Sequence, residues 1–171
     1  MSRTANLAIE IRIDCVGWSA VQGIDALVAG SLQAAIEESG DAFAQGAEVS
    51  LLFCDDAAIR ELNRRFRGQD KPTNVLSFPG PDPIETATFL GDIAIARETV
   101  AREALEQGRS LEQHCRHMIV HGFLHLLGYD HEAEEEAEAM EAMEIRILRK
   151  LGVDDPYRED RRKETIDHER A

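Results

Sequence analysis

The chain has 171 residues, enough for one domain with a hydrophobic core, and its 43% hydrophobic content is ordinary for a globular protein. Its formal net charge of -14 excludes a uniformly basic surface of the kind that attracts nucleic acid non-specifically. No long apolar run and no signal-peptide pattern is present, and three widely spaced cysteines do not indicate a disulfide framework, so we expect a cytoplasmic protein without membrane attachment.

The first third of the chain predicts two strands joined by a helix. Apolar residues alternate with others from Leu7 to Ile13, the period-two pattern of a half-buried strand. Apolar residues at helical spacing from Ile24 to Glu38 precede Gly40 and predict a helix, and Glu48 to Cys54 predicts a more buried strand. This order usually gives parallel strands with a right-handed crossover.

An arginine-rich helix is predicted next. Asp55 or Asp56 can cap its start, and apolar side chains continue at helical spacing to Phe66. The basic residues here and in the following loop are Arg60, Arg64, Arg65, Arg67 and Lys71. Most of them fit either a solvated helix face or a basic surface patch. Arg67 differs because it lies at the helix exit, where its planar fork of donors suits a phosphate group.

The rest of the chain predicts two short strands and three helices. They cover Val75–Phe78, Phe89–Ile95, Arg97–Gln107, a helix that begins after Ser110, and Glu132–Lys150. Ser110 with Gln113 forms a capping-box pattern. The glutamates of the last helix are interpreted as a solvated face. Residues 153–171 are strongly charged and are expected to form a poorly ordered tail, which leaves residues 1–152 as the single domain.

The sequence HGFLHLLGYDH, from His121 to His131, contains three histidines at a metal-ligand spacing. In a helix, His121 and His125 point to the same side one turn apart. Gly128 allows a left-handed turn after the helix, so that His131 can return as a third ligand. Three neutral imidazoles leave one coordination position open, which is typical of catalytic zinc. A lone histidine is usually structural, but three around a turn glycine favour a metal centre.

Neighbouring residues are candidates for supporting roles. His117 lies one turn before His121 and can hold a ligand in place, although a core or surface histidine fits as well. Asp130 can orient a ligand imidazole or simply belong to the turn. His114 lies roughly 10 Å from His121 along the helix, too far to bind the same metal ion.

The same spacing, H-x-x-x-H-x-x-G-x-x-H, is the long zinc motif of the metzincin proteases, except that Gly122 replaces their catalytic glutamate. A metal-dependent peptidase or amidase of metzincin-like geometry is therefore the alternative function. A third interpretation is a non-catalytic binding protein in which zinc only stabilises the fold, with His117 or Asp130 as a fourth ligand.

HGFLHLLGYDH resembles in full the signature of the YbeY family of bacterial metal-dependent endoribonucleases involved in ribosomal RNA maturation. Two further segments are similar to the same family: ELNRRFRGQDKPTNVLSFP from Glu61 to Pro79, and LGDIAIA from Leu90 to Ala96. The resemblance implies an α+β, zincin-like single domain, with a small mixed four-stranded sheet, about five helices and the metal site on the helix that carries HxxxH.

The resemblance also implies a zinc-dependent endoribonuclease specific for single strands, acting in small-subunit rRNA 3′ end maturation and ribosome quality control. Its expected partners are single-stranded or ribosomal RNA and the ribosome or its proteins. The implied cofactor is one zinc ion at His121, His125 and His131, with nickel or cobalt as alternatives. Arg67 falls where the family has its functional arginine. We therefore assign catalytic roles to Arg67 and His121. The candidate RNA-binding residues are Arg64, Arg65 and Lys71.

Overall fold

The structure, a computed structural model, describes residues 7–41 and 43–158. Its strands are β1 Ala8–Ile13, β2 Glu48–Cys54, β3 Val75–Pro79 and β4 Phe89–Ala96. Its α-helices are α1 Ile24–Ser39, α2 Asp56–Arg67, α3 Arg97–Glu106, α4 Leu111–Leu126 and α5 Glu134–Lys150. All nine predicted elements are present. A short 3-10 helix at Val16–Ala20, which the sequence patterns did not indicate, precedes α1.

The four strands form one mixed sheet in the order β1-β2-β4-β3. β1, β2 and β4 are parallel, whereas β3 pairs antiparallel with β4 and forms an edge of the sheet. The parallel pairing of β1 with β2 is the pairing predicted for two strands joined by a helix. The α+β class, the mixed four-stranded sheet and the five helices are therefore as expected.

The hydrophobic core is divided between the two faces of the sheet. The larger cluster joins the sheet to α1, α4 and α5 and includes Leu27, Val49, Phe53, Ile93, Phe123 and Ile147. A smaller cluster beneath α2 contains Cys54, Ile59, Leu76, Ala94 and Ala96. All three cysteines are free thiols. Because α4 lies inside the larger cluster, the helix that carries HxxxH is held on several sides.

Helix α4 begins at the predicted capping box, in which Ser110 and Gln113 bond to each other's backbone N–H groups. At Gly122 the helix lies very close to the sheet. A Cβ atom there would be 2.8 Å from Cγ2 of Ile93 and 3.1 Å from Oγ of Ser77. The Ser77 hydroxyl also donates a 2.9 Å hydrogen bond to the Gly122 carbonyl. A side chain at position 122 would therefore be directed into the sheet.

We predict that Gly122→Ala will destabilise the protein despite the better helix propensity of alanine. Propensity contributes about 1 kcal/mol in favour of alanine, whereas overpacking a tight contact costs about 1 to 3 kcal/mol. Gly122→Glu should be more damaging because it forces a carboxylate into the helix–sheet contact, and it should not create a peptidase. Thermal unfolding is the measurement, and an alanine variant that melts at or above the wild-type temperature would show that the contact is not tight.

The chain folds back after α5. Val153 is only 5% exposed, and the Arg109 guanidinium donates to the Asp154 carbonyl at 3.1 Å. The Tyr157 hydroxyl donates to the buried Glu144 of α5. Residues 153–158 therefore pack on the domain and are not part of a poorly ordered tail, while residues 159–171 lie outside the described range. Within the described ranges, no helix has both the length and the apolarity needed to cross a membrane.

Candidate metal centre

The structure brings the three motif histidines together. His121 and His125 lie on successive turns of α4, and His131 returns from the loop after Gly128, whose φ of 98° is in the region that favours glycine. One ring nitrogen from each histidine lies within 4.8 Å of the other two. The ring centroids of His121 and His125 are 4.7 Å apart, and that of His131 is 5.0 Å from that of His125. The predicted turn thus produces a cluster of three imidazoles.

Hydrogen bonds determine which nitrogens of this cluster are free. Nδ1 of His121 donates to Glu144 at 2.5 Å, and Nδ1 of His125 donates to the Tyr129 carbonyl at 2.9 Å. When both rings are neutral, the lone pairs lie on the two Nε2 atoms, which are 3.1 Å apart. Burial and the nearby imidazoles lower the pKa of His125, which favours its neutral form.

This donor set fits a metal ion. Two neutral imidazoles whose lone pairs face each other repel unless a proton or a metal ion lies between them. Nitrogen ligands of tetrahedral zinc at about 2.0 to 2.1 Å from the metal are roughly 3.3 Å from each other, close to the observed separation. Metal binding also requires neutral imidazoles with the second nitrogen hydrogen-bonded, as His121 and His125 have here.

Glu144 is the central residue behind the cluster. It is fully buried and accepts hydrogen bonds from Nε2 of His117 at 3.0 Å, from Nδ1 of His121 and from the Tyr157 hydroxyl. Burial alone would raise the pKa of this carboxyl, but the hydrogen bonds from His117 and His121 outweigh burial and hold its pKa low, at about 2. Burial and the charge of Glu144 raise the pKa of Tyr157, which keeps its hydroxyl protonated as a donor. Glu144 is thus an ionised carboxylate that fixes the His121 ring.

Interpreting the glutamates of the last helix as a solvated face is wrong for Glu144. The sequence does contain a signal for its burial. Glu144 lies four residues after Met140 and three before Ile147, both of which are buried, so it belongs to the apolar stripe of α5. A carboxylate on a buried stripe requires partners, and the histidines of α4 are the available ones.

The other histidines of α4 lie behind the cluster. His117 is buried and bonds to Glu144, the residue that holds His121. It therefore supports the cluster indirectly, without a hydrogen bond to the candidate ligand imidazoles. His114 is also buried, and its Nε2 lies 3.1 Å from Glu103, which accepts a further hydrogen bond from Asn74 at 2.9 Å. His114 thus has its own carboxylate partner away from the candidate ligands.

Asp130 stabilises the turn that carries His131. Its carboxylate accepts the backbone N–H of His131 at 2.7 Å. The acceptor for the His125 ring is instead the carbonyl of Tyr129. Of the two sequence-based interpretations of Asp130, the structure places it in the role of a turn residue.

The histidine cluster opens into a cleft of about 560 Å³ between α4, β3 and the end of α2. Arg67 lines the same cleft. Its Nη2 donates to the Ser77 carbonyl at 2.7 Å, and its guanidinium lies 5.7 Å from the centre of the Phe78 ring. A second cavity of about 570 Å³, beside the 3-10 helix, is lined by no histidine.

The remaining candidate RNA-binding residues lie outside this cleft. Arg64 is exposed and pairs with Glu61 at 2.5 Å. Arg65 is exposed with its guanidinium 5.5 Å from the centre of the Phe66 ring, and Lys71 is exposed in the following loop. The structure therefore groups only Arg67 with the histidines and leaves the other three on the neighbouring surface.

Comparison with known proteins identifies relatives over most of the chain. The profile of the family described as Endoribonuclease YbeY matches residues 19–152. A protein named Endoribonuclease YbeY from Methylocella silvestris is 50% identical over 151 residues, which are 88% of this chain and 86% of the relative. Its namesake from Agrobacterium fabrum is 50% identical over 162 residues, 90% of this chain and 96% of the relative.

The fold also has a relative among solved structures. The solution structure of TM1509 from Thermotoga maritima aligns with a TM-score of 0.53 and 27% sequence identity. The alignment covers 84% of this chain and 91% of that one. The arrangement of strands and helices described above is therefore shared with an experimentally determined structure.

Proposed function

Because the chain belongs to the YbeY family of endoribonucleases, and is thereby a hydrolase of RNA phosphodiester bonds, we propose that its active site is the cleft at His121, His125 and His131 and that one zinc ion binds there. The observation that carries this proposal is the pair of Nε2 atoms 3.1 Å apart, beside a third histidine and Arg67. Nickel or cobalt would suit the same three imidazoles.

When bound at these histidines, the ion would supply Lewis-acid polarisation of a phosphoryl oxygen and activation of water. Arg67 uses one N–H for the Ser77 carbonyl and has further donors that can bind a phosphate. These donors stabilise the negative charge that develops on the phosphoryl oxygens in the transition state. Because Ser77 and Phe78 fix the guanidinium, little reorganisation is required during the reaction. Glu144 keeps the His121 ring in its ligand orientation.

The edge of the sheet beside the cleft is partly blocked for a peptide substrate. A peptide that adds to an edge strand requires free backbone N–H and C=O groups. On β3, the Val75 N–H donates to the Asn74 side chain at 2.7 Å and the Ser77 carbonyl accepts from Arg67. Pro79 has no N–H. A side chain at position 122 would also point into the sheet. These features favour RNA over the peptidase or amidase alternative.

The non-catalytic alternative requires a fourth protein ligand. His117 bonds to Glu144 and Asp130 bonds to the backbone of His131, so both sequence-based candidates for that ligand are engaged elsewhere. This arrangement favours an open coordination position at which water or substrate can bind.

The biological setting of the proposal follows from the family. We infer that the substrate is single-stranded RNA, that the protein acts in the cytoplasm in small-subunit rRNA 3′ end maturation and ribosome quality control, and that the ribosome or its proteins are partners. Arg64, Arg65 and Lys71 would add salt-sensitive contacts to the RNA backbone outside the cleft.

Incubation of the purified protein with labelled single-stranded RNA, the matching duplex and an unstructured protein substrate tests this assignment. We expect cleavage of the single strand alone, with loss of cleavage on treatment with a chelator. Proteolysis that depends on the metal, without cleavage of RNA, would favour the alternative function.

Glu144→Gln should lower metal affinity while preserving side-chain volume. The amide still fills the site but presents one oxygen and an NH2 group to three donors, so His121 loses its charged acceptor. Loss of a partner that orients a ligand typically lowers metal affinity by roughly ten- to a hundredfold. Competition with a chromogenic chelator measures the effect, and the exposed Glu138 of the same helix provides the control Glu138→Gln. Equal affinities in the two variants would show that Glu144 does not support the site.

A further inference from the structure

An aromatic side chain is exposed next to the cleft. Phe66, near the end of α2, is 60% exposed. Its ring centre lies 5.4 Å from that of Phe78 with an interplanar angle of 60°. Phe78 in turn lies under the guanidinium of Arg67, which lines the cleft. The exposed ring is therefore connected to the candidate active site through one shared neighbour.

The charges around Phe66 are also distinctive. Two of the arginines of α2 form ion pairs, Arg60 with Asp70 at 2.8 Å and Arg64 with Glu61. Arg65 and Arg67, which flank Phe66 in the sequence, form no ion pair with any residue of the described ranges. They lie over the rings of Phe66 and Phe78 instead. In a chain of net charge -14, unpaired guanidinium groups beside an exposed aromatic ring complement a ligand that is both anionic and aromatic.

We propose that Phe66, together with Arg65 and Phe78, forms a subsite on which one nucleobase of the RNA stacks. The proposal rests on the proposed endoribonuclease function, since it places the base beside a phosphate held by Arg67. Any of the four bases can stack because each has a π face. In a duplex the bases stack on one another and cannot reach Phe66, so the subsite selects single strands.

Phe66→Ala should weaken binding of a single-stranded oligonucleotide roughly ten- to a hundredfold. Single-turnover cleavage is measured across a range of protein concentrations. The loss of binding should appear as a higher half-saturating protein concentration. The cleavage rate at saturation should change much less. Phe66→Trp should restore binding because it retains a flat aromatic surface. The matched control is Leu105→Ala, which removes an 82% exposed apolar side chain from α3. Melting temperatures verify that the variants are folded.

The tryptophan variant also reports on stacking directly. The chain contains one tryptophan, Trp18, which is fully buried. A second indole at position 66 should therefore provide nearly all of the emission that responds to RNA. We expect this emission to be quenched by the single strand and not by the duplex.

A set of oligonucleotides with one abasic nucleotide at successive positions completes the test with the wild-type protein. One position should weaken binding by about as much as Phe66→Ala, and at that position the Phe66→Ala protein should lose nothing further. The subsite would be overturned if the losses from the abasic nucleotide and from Phe66→Ala were additive at every position, or if Phe66→Ala bound RNA with wild-type affinity. Cleavage by the wild-type protein would still uphold the proposed function in either case. A wild-type protein that neither binds nor cleaves RNA would refute both.

Discussion

Replacing His121, His125 or His131 by alanine is expected to remove most of the bound metal and to reduce RNA cleavage to background. Each substitution deletes one of three ring nitrogens that lie within 4.8 Å of one another. Because loss of a supporting residue already lowers affinity roughly ten- to a hundredfold, loss of a ligand should cost more than a hundredfold. Elemental analysis of each purified variant, beside its cleavage rate, measures the effect.

His114→Ala is the matched control because it removes a histidine of the same helix that bonds to Glu103 and is not part of the cluster. It should retain its metal. Stoichiometric zinc in His131→Ala would show that the third ligand is misassigned.

Arg67→Ala is expected to retain zinc and the folded state but to cleave RNA a hundred to a thousand times more slowly. Loss of one preorganised donor at a site of developing negative charge costs about 3 to 4 kcal/mol in the transition state. The folded state should lose far less, because the side chain is exposed and a typical hydrogen bond such as that to Ser77 contributes about 1 kcal/mol. Zinc content, melting temperature and the single-turnover rate distinguish the two effects.

Two further substitutions define the role of Arg67. Arg67→Lys should recover activity only in part, since lysine supplies charge without the planar fork. Arg64→Ala, which removes an exposed side chain paired with Glu61, should mainly produce weaker and salt-sensitive binding. An Arg67→Ala protein that cleaves at the wild-type rate would refute the catalytic role, and one that unfolds or loses zinc would make the residue structural.

Local features of the fold could be predicted from the sequence because they depend on neighbours in the chain. The alternation in β1, the capping box at Ser110 and the turn glycine at position 128 each act within a few residues. The antiparallel pairing of β3 with β4 is different, since short apolar strands carry little information about their partners. It is this pairing that makes β3 an edge strand and brings Ser77 and Arg67 beside α4.

The candidate site shows the same limit. The spacing of the three histidines and Gly128 sufficed to predict their cluster, since one helix and one turn bring them together. Glu144 could not be assigned in this way, because it reaches His121 from a helix 23 residues further along the chain. Tyr157, which donates to Glu144, lies further still along the chain. The burial of an ionised carboxylate can be explained only when its hydrogen-bond donors are known. Helical position alone would have identified Glu144 as buried but not His121 as its partner.

Titration of metal-free protein with zinc, with cleavage of single-stranded RNA followed at each addition, tests whether the three-histidine cluster is the catalytic metal site. The proposed site predicts that activity rises with added zinc and reaches a plateau at one equivalent per chain, and that no such rise occurs in His131→Ala. Full cleavage by the metal-free wild-type protein, or an identical titration in His131→Ala, would contradict it.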